Sequence, residues 1–292
     1  MDPGEVAGWP RNRWELSAAE SYALLYGPKT SKPSQPFKLA VLELVYRRVL
    51  EMVEVEKSGL FRTKKVAVLR KGEGTTDNEV LLAVRDLYFT SGKSVYPDGV
   101  PGVEVKSLAE RASQQYSSRK GFAEAVVMKA LEERGFYRRE RRSFLGIIPC
   151  QRWALSRSGE AAREQLKLTM RLGESQFGRW VDREPNRALA YLGLVGPAVL
   201  LMEPLHPDLQ RLREVQDRTG DGVGSSGTSG DSQGEESSGE DALDSGDLDL
   251  DIGDFDLDFD VLGDLGGAFD AIDSGMDAGG GDGGDGGGNG GD

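Results

Sequence analysis

The sequence predicts a single, mainly α domain with one or two β-hairpins, followed by a disordered acidic tail, and three observations lead to this prediction. Apolar residues recur at helical spacing through most of residues 15–218. Two segments show instead the alternation and turn residues that are typical of hairpins. From about residue 219, Gly, Ser, Asp and Glu dominate and no apolar periodicity continues, which predicts disorder over 219–292. Residues 1–14 are predicted to be a flexible N-terminus.

The predicted helices begin and end at recognisable signals. Ser17 and Glu20 have the spacing of a capping box, in which each side chain binds the backbone amide of the other residue, and Gly27 provides a stop. Thr76 and Glu79 repeat the capping-box spacing before a later helix. The predicted helices cover residues 18–26, 37–50, 79–89, 106–117, 121–134, 158–172, 187–202 and 208–215.

The strand-like segments form two pairs. Residues 52–57 and 64–70 alternate in polarity around a Ser58-Gly59 turn, and residues 136–156 contain two strands around a turn at 146–149. Residues 90–105 hold three Gly and two Pro, so we expect a loop there.

The charge of the chain is divided unequally between the body and the tail. The 292 residues include 36 Lys+Arg and 49 Asp+Glu, a formal charge of −13. Residues 1–220 account for +8 of this charge, and residues 221–292 account for −21. A mildly basic body therefore precedes a strongly acidic tail, and the body can bind anionic partners.

Composition and motifs exclude several function classes. The single Cys and the single His exclude an internal disulfide, a cysteine-based metal site and a two-histidine motif. No phosphate-binding loop, dinucleotide fingerprint or nucleophile elbow is present, so we expect neither an enzyme nor a cofactor. The longest uncharged apolar run, residues 188–202, is 15 residues long and too short to cross a bilayer comfortably. We expect a cytoplasmic protein, peripheral on a membrane surface.

The second predicted hairpin is the strongest candidate site, because an apolar tip follows a basic stem. Such a tip needs a partner, and a bilayer interface would accept it while the stem arginines meet lipid phosphates. A winged-helix wing with its tip folded onto the core fits the same pattern. The hairpin could also join two copies of the chain. The stem residues are Arg138, Arg139, Arg141 and Arg142, and the tip residues are Phe144, Leu145, Ile147 and Ile148.

A nucleic-acid-binding function is the alternative. Residues 37–70 form an analogous helix-then-hairpin unit, so the body can be interpreted as a tandem winged helix with an autoinhibitory acidic tail. Neither helix offers an obvious base-reading face. A further basic cluster, formed by Arg111, Arg119 and Lys120 around a helix start, is either a phosphate pocket or a group of solvated charges.

The tail contains one patterned segment. Between Asp247 and Asp260, aspartates alternate with Leu, Ile and Phe in two runs separated by Gly253, so a strand would place the acids of each run on one side. This segment could dock on the basic body or on a basic partner protein. The alternative is that the tail only keeps the protein in solution.

The order of these segments resembles the Golgi phosphoprotein 3 family over about residues 15–205. LSAAESYALLYG is similar to the family's opening helix, and LAVLELVYRRVLEMVEVE is similar to its second helix with a Glu-Leu-x-x-Arg pattern. FRTKKVAVLRK resembles the basic hairpin that follows, and TTDNEVLLAVRDLY resembles the next helix. The segments from VVMKALEERGF through RRERRSFLGIIPCQRWALS to RWVDREPNRALAYLGLVGPAVLL are similar to the rest.

The resemblance implies a membrane-inserting hairpin and binding of phosphatidylinositol 4-phosphate. The family's headgroup pocket uses a Trp and an Arg before the second helix, where this chain has Lys29, Lys32 and Lys38. It also uses arginines at the start of the helix before the hairpin, close to Arg119 and Lys120. The resemblance therefore adds Lys38 to the candidate headgroup ligands.

Overall fold

The computed structural model describes residues 16–28, 32–58, 63–117, 119–144, 148–202 and 205–220, and it is mainly helical, as the sequence predicts. The first two helices, α1 (Ala18–Tyr26) and α2 (Gln35–Tyr46), are buried along almost their whole length and form the centre of the core. The other helices are α3 (Glu79–Thr90), α4 (Val105–Gln115), α5 (Arg119–Phe122), α6 (Met128–Glu133), α7 (Arg157–Arg183), α8 (Pro185–Val195) and α9 (His206–Gly220). The predictions for residues 1–14, Gly59 and the tail beyond Gly220 lie outside the described residues.

The strands form two separate antiparallel sheets. The first has the order β1 (Leu50–Ser58), β2 (Thr63–Lys71), β4 (Pro101–Glu104), β3 (Ser94–Val95). The second is a two-stranded ribbon of β5 (Tyr137–Phe144) and β6 (Ile148–Leu155). Both predicted hairpins are therefore confirmed.

The predicted loop over residues 90–105 is wrong in part, because it contains β3 and β4. Strand β4 pairs with β2, with Leu69 opposite Val103. These two residues are 34 positions apart in the chain, so no local sequence pattern predicts the pairing. Gly102 permits the close pairing, since a Cβ there would overlap the Val68 side chain.

Helix α2 ends four residues before its predicted end. Arg48 adopts a left-handed backbone (φ 53°), and its carbonyl oxygen accepts a hydrogen bond from the Gly74 amide at 2.8 Å. Gly72 and Gly74 approach this turn so closely that a Cβ on either residue would overlap a backbone oxygen. The chain therefore turns directly from α2 into β1.

The cap of α3 also differs from the prediction. Asn78, rather than Thr76, is the N-cap, and its Oδ1 accepts the amides of Val80 and Leu81 at 3.0 and 3.2 Å. Thr76 Oγ1 accepts from the Asn78 amide at 3.3 Å. The predicted capping box at Thr76 is therefore wrong, although the helix is present.

The helix that precedes the ribbon is continuous but contains a π-turn. The predicted helix over 121–134 begins at Arg119, passes through a π-helical segment at Ala123–Val127, and continues as α6. Phe122 is buried and makes edge contacts with Phe37 and Tyr116, with ring centroids 5.3 and 5.5 Å apart.

Helices α7 and α9 are longer than predicted, and the helix predicted over residues 187–202 is interrupted. Helix α7 continues eleven residues beyond Leu172, because Phe177, Trp180 and Val181 bury their side chains in the core. The predicted helix over 187–202 ends at Val195, and Gly196 (φ 56°) begins a 3₁₀ segment, Gly196–Leu201. Helix α9 extends the prediction at both ends.

Two buried glutamates hold the helix ends together. Glu20, with no exposed surface, accepts hydrogen bonds from Ser17 Oγ at 2.8 Å and from Asn78 Nδ2 at 2.9 Å, so the predicted Ser17–Glu20 capping box is confirmed. Arg134 Nε lies 3.1 Å from Glu20 Oε1, an ion pair without hydrogen-bond alignment. The start of α1, the start of α3 and the end of α6 therefore meet at one carboxylate.

The second glutamate, Glu43, joins α2 to α1. Its Oε2 accepts the Ala18 amide at 2.6 Å, and its Oε1 accepts from Arg47 Nε at 2.9 Å. Burial is the largest influence on this carboxyl and raises its pKa from 4.5 to about 7, against the lowering effect of Arg47. The neighbouring Glu20 also raises this pKa.

We predict that Glu43 makes stability depend on pH. Because its pKa is raised in the folded state, the contribution is complete below the unfolded value of 4.5 and is lost as the pH rises through about 7. Relative to the unsubstituted protein, Glu43→Gln should therefore gain about 2.5 kcal/mol of unfolding free energy between about pH 5 and about pH 8, measured by urea titration. Glu54→Gln, on the exposed side of β1, is the control and should show no such gain. A pH-independent difference for Glu43→Gln would contradict the prediction.

We also predict that Gly173 in α7 tolerates no side chain. A Cβ there would overlap the Tyr191 hydroxyl, which donates to the Thr169 carbonyl at 3.0 Å. Gly173→Ala should therefore lower the unfolding free energy by roughly 1–3 kcal/mol. Gly193→Ala, in α8, meets nothing within 4 Å and should be neutral or stabilising. Equal melting temperatures for the two variants would contradict this account.

Candidate functional site

Hydrogen bonds hold the β5–β6 ribbon to the helical body at the start of β5 and the end of β6, here called the base of the ribbon. Gly135 (φ 76°) turns the chain out of α6, and its carbonyl oxygen accepts from both Ser156 Oγ at 2.6 Å and Ser158 Oγ at 2.9 Å. Ser156 is also the N-cap of α7 and accepts the Gly159 amide at 3.0 Å. On β5, the Tyr137 hydroxyl donates to the Ala23 carbonyl of α1 at 3.2 Å. The ribbon is therefore tied to α1, α6 and α7 at once.

The ribbon register assigns each arginine to a face. Arg138 is opposite Ala154, Arg139 is opposite Trp153, and Arg141 is opposite Gln151. Because side chains alternate along a strand, Arg139 and Arg141 share one face, whereas Arg138 shares the other face with Arg152. Both faces therefore carry basic residues.

The arginines near the base have partners in the body or ribbon. Arg138 pairs with Glu140 at 2.8 Å, and Arg139 pairs with Glu132 of α6 at 3.1 Å. The Arg139 guanidinium also stacks on the Trp153 ring, 4.6 Å from its centroid. These two predicted ligands are thus partly engaged, although about half or more of each side chain is exposed.

Arg141 and Arg152 lie farther out on the ribbon and differ from the others. Both are exposed, and neither makes an ion pair with any residue of the described ranges. Arg152 was not among the predicted ligands, although its place in the second strand could have been inferred from the sequence. Outward from them, the register places Arg142 opposite Cys150 and Phe144 opposite Ile148. The predicted tip residues Leu145 and Ile147 lie outside the described residues.

The predicted headgroup ligands elsewhere do not all lie on the surface. Lys38 is in α2 and only 4% exposed, so it is not part of an exposed basic surface. Arg111 is exposed on α4 and lines a shallow polar groove of about 200 Å³ with the end of α3 and with Glu110. Arg119 and Lys120 begin α5, as the predicted helix start requires, but their side chains lie outside the described set.

The β1–β2 hairpin is not a second basic ribbon. Lys65 pairs across the strands with Glu54 at 3.3 Å, and Lys57 pairs with Glu104 of β4 at 2.6 Å. The hairpin also belongs to the larger sheet through β4. Two of its lysines are therefore paired with carboxylates, and its strands hold five Lys and Arg against three Glu, whereas β5 and β6 hold five Arg against one Glu.

The sequence patterns did not predict Glu43 as a structural group, nor the contacts that Glu20 makes with α3 and α6. A signal was present, because Glu43 interrupts the apolar face of α2 and Arg47 follows it by four residues. Both glutamates are sealed from solvent, so they hold the fold rather than meet a ligand. Within the described ranges, no group of three or more His, Cys, Asp and Glu is arranged to hold a metal ion.

Comparison with known proteins adds no identification. No protein-family model matches the chain, and no curated protein matches it. Across the residues that the structure describes, none of the helices combines the length and the apolar character needed to cross a bilayer.

We predict that the two serines at the base orient the ribbon. Changing Ser156 and Ser158 together to Ala removes the α7 cap and both bonds to Gly135, at a cost of about 1 kcal/mol. Amide hydrogen exchange in β5 and β6 should accelerate while exchange in α2 stays unchanged. Ser175→Ala, which removes an exposed hydroxyl within α7, is the control. Unchanged ribbon exchange in the double variant would contradict the prediction.

Proposed function

We propose that the protein binds anionic membrane surfaces through the β5–β6 ribbon, as a peripheral protein on the cytoplasmic side. The observation that carries the proposal is the pair of exposed arginines, Arg141 and Arg152, that lack an ion pair among the described residues. They lie just inward of the strand positions of Phe144 and Ile148. Along the ribbon, the basic residues therefore lie nearer the helical body, and the apolar positions lie nearer the tip.

The energies of the two groups support a combined mode of binding. Each arginine near an anionic surface contributes about 1 kcal/mol, and this attraction is screened by salt. Full burial of Phe144, Leu145, Ile147 and Ile148 at about 1.5 kcal/mol each would contribute roughly 6 kcal/mol. The arginines select the anionic surface, and the tip retains the protein there.

Phosphatidylinositol 4-phosphate is the lipid we propose, on the strength of the resemblance to the Golgi phosphoprotein 3 family. Its phosphate monoester carries more charge than a phosphodiester and favours a cluster of cations. Arg111, Arg119 and Lys120 are the candidate ligands outside the ribbon. No catalytic step is part of this proposal.

Nucleic-acid binding is the weaker alternative. The two helix-then-hairpin units are present, but α2 is buried from Pro36 to Tyr46 and has no exposed face to enter a groove. Helix α6 buries Met128, Ala130 and Leu131. The ribbon alone would then have to contact the phosphates.

We predict that Arg141 and Arg152 govern binding to anionic vesicles. Arg141→Gln with Arg152→Gln should weaken binding about thirtyfold, since two cations contribute about 1 kcal/mol each. Co-flotation with vesicles of neutral lipid, with and without phosphatidylserine or phosphatidylinositol 4-phosphate, measures the effect. The matched control is Arg179→Gln with Arg183→Gln, an equal charge change at two exposed positions of α7.

The same experiment separates the two functions. Ile147→Ser with Ile148→Ser should abolish flotation, with an unchanged circular dichroism spectrum, and should leave binding to duplex DNA unaltered. Equal weakening by the ribbon and α7 arginine variants would show only a general charge effect and would contradict the proposed site. Tight, salt-sensitive DNA binding without flotation would favour the nucleic-acid alternative.

A further inference from the structure

Membrane binding alone does not account for two features of the ribbon, its uncovered strand edges and the basic residues beside them. Strands β5 and β6 pair only with each other among the described strands, so each has an outer edge that no described strand covers. That edge runs beside the basic residues of β5, with Arg139 and Arg141 on one face. An extended acidic segment would satisfy both the edge and the charges.

The chain itself contains such a segment, defined here as the acidic segment, residues 247–260. It holds seven aspartates that alternate with Leu, Ile and Phe, and no Lys or Arg follows Arg218. Its period of two matches a strand, but Gly253 shifts the alternation by one residue, so the four aspartates of residues 254–260 would share one face and the three of residues 247–251 would share the other. The pattern complements the ribbon in charge and in backbone spacing.

The chain between α9 and the acidic segment is long enough for the segment to reach the ribbon. Helix α9 packs along α7, where Arg211 pairs with Asp182 at 2.9 Å, near the end of α7 remote from the ribbon. A helix of 27 residues is about 40 Å long. The 26 residues from 221 to 246 can span up to about 85 Å. The acidic segment can therefore reach the ribbon of its own chain.

We propose that the acidic segment docks on the outer edge of β5 in the same molecule, with the four aspartates of residues 254–260 on the face that carries Arg139 and Arg141. Tethering gives an effective concentration of millimolar order, so a modest contact is enough to occupy the edge. The docked segment occupies Arg141, one of the two arginines that we propose contact lipid phosphates. Docking itself is independent of the proposed function, and only its inhibitory consequence rests on membrane binding.

The test uses the full chain and amide hydrogen exchange of β5 and β6. In one variant the seven aspartates of the acidic segment are changed to Asn; they are Asp247, Asp249, Asp251, Asp254, Asp256, Asp258 and Asp260. In the matched control the seven later aspartates are changed to Asn; they are Asp264, Asp270, Asp273, Asp277, Asp282, Asp285 and Asp292.

Only the first variant should accelerate ribbon exchange, by about tenfold, which corresponds to a contact of about 1.4 kcal/mol. Arg141→Gln should produce part of the same acceleration and add little to the first variant. High salt should accelerate ribbon exchange in the unsubstituted chain. Exchange that is the same in all chains, or equal acceleration by both aspartate variants, would overturn the proposal. Protection that disappears on dilution would assign the contact to a second copy and would also overturn it.

Vesicle flotation of the same variants separates this inference from the proposed function. Stronger flotation of the first variant alone supports both. Flotation that is absent in every variant, with ribbon exchange still accelerated, refutes membrane binding and leaves docking intact. Strong flotation with unaltered exchange refutes docking and leaves membrane binding intact.

Discussion

Two carboxylates without contact to solvent, Glu20 and Glu43, determine how the helices of this protein meet. A buried carboxylate is costly unless donors and opposite charges surround it, and here backbone amides, Ser17, Asn78 and Arg47 donate hydrogen bonds while Arg134 adds an ion pair. These groups come from the starts of α1 and α3, from α2, and from the end of α6. Helix packing alone allows several angles between these elements, and the directional bonds select one of them.

The ribbon depends on this arrangement through Arg134. That residue ends α6 and contacts Glu20, and the next residue, Gly135, starts the turn into β5. The arginines that follow along the ribbon therefore change in role with distance from the core. Arg138 and Arg139, near the base, make ion pairs with Glu140 and Glu132, whereas Arg141 and Arg152, farther out, are exposed.

The sequence predicted the features that depend on local chemistry. The cap at Ser17, the stop at Gly27 and both hairpins follow from spacing and residue type. It did not predict features decided by distant contacts. Asn78 caps α3 because it also reaches Glu20, 58 residues away, and α7 passes through Gly173 because Tyr191 packs there. Lys38 looked like a surface cation because side-chain type alone does not show burial in α2. Of the candidate site, the basic strands were predictable, but which arginines are already paired was not.

The π-turn at Ala123–Val127 has a consequence for how this chain tolerates insertions and deletions. A π-turn accommodates one more residue than an α-helical turn, and one residue rotates a helix by about 100°. Loss of a single residue in this segment would therefore restore a regular α-helical turn and leave Arg134 facing Glu20. Loss or gain of a residue in the regular part of α6 would instead rotate Arg134 away from Glu20 by about 100°, and the exit of the ribbon at Gly135 would swing around the helix axis by the same angle. The orientation of the ribbon is therefore encoded in the residue count of α6, and a change in that count re-aims the ribbon without altering any of its arginines.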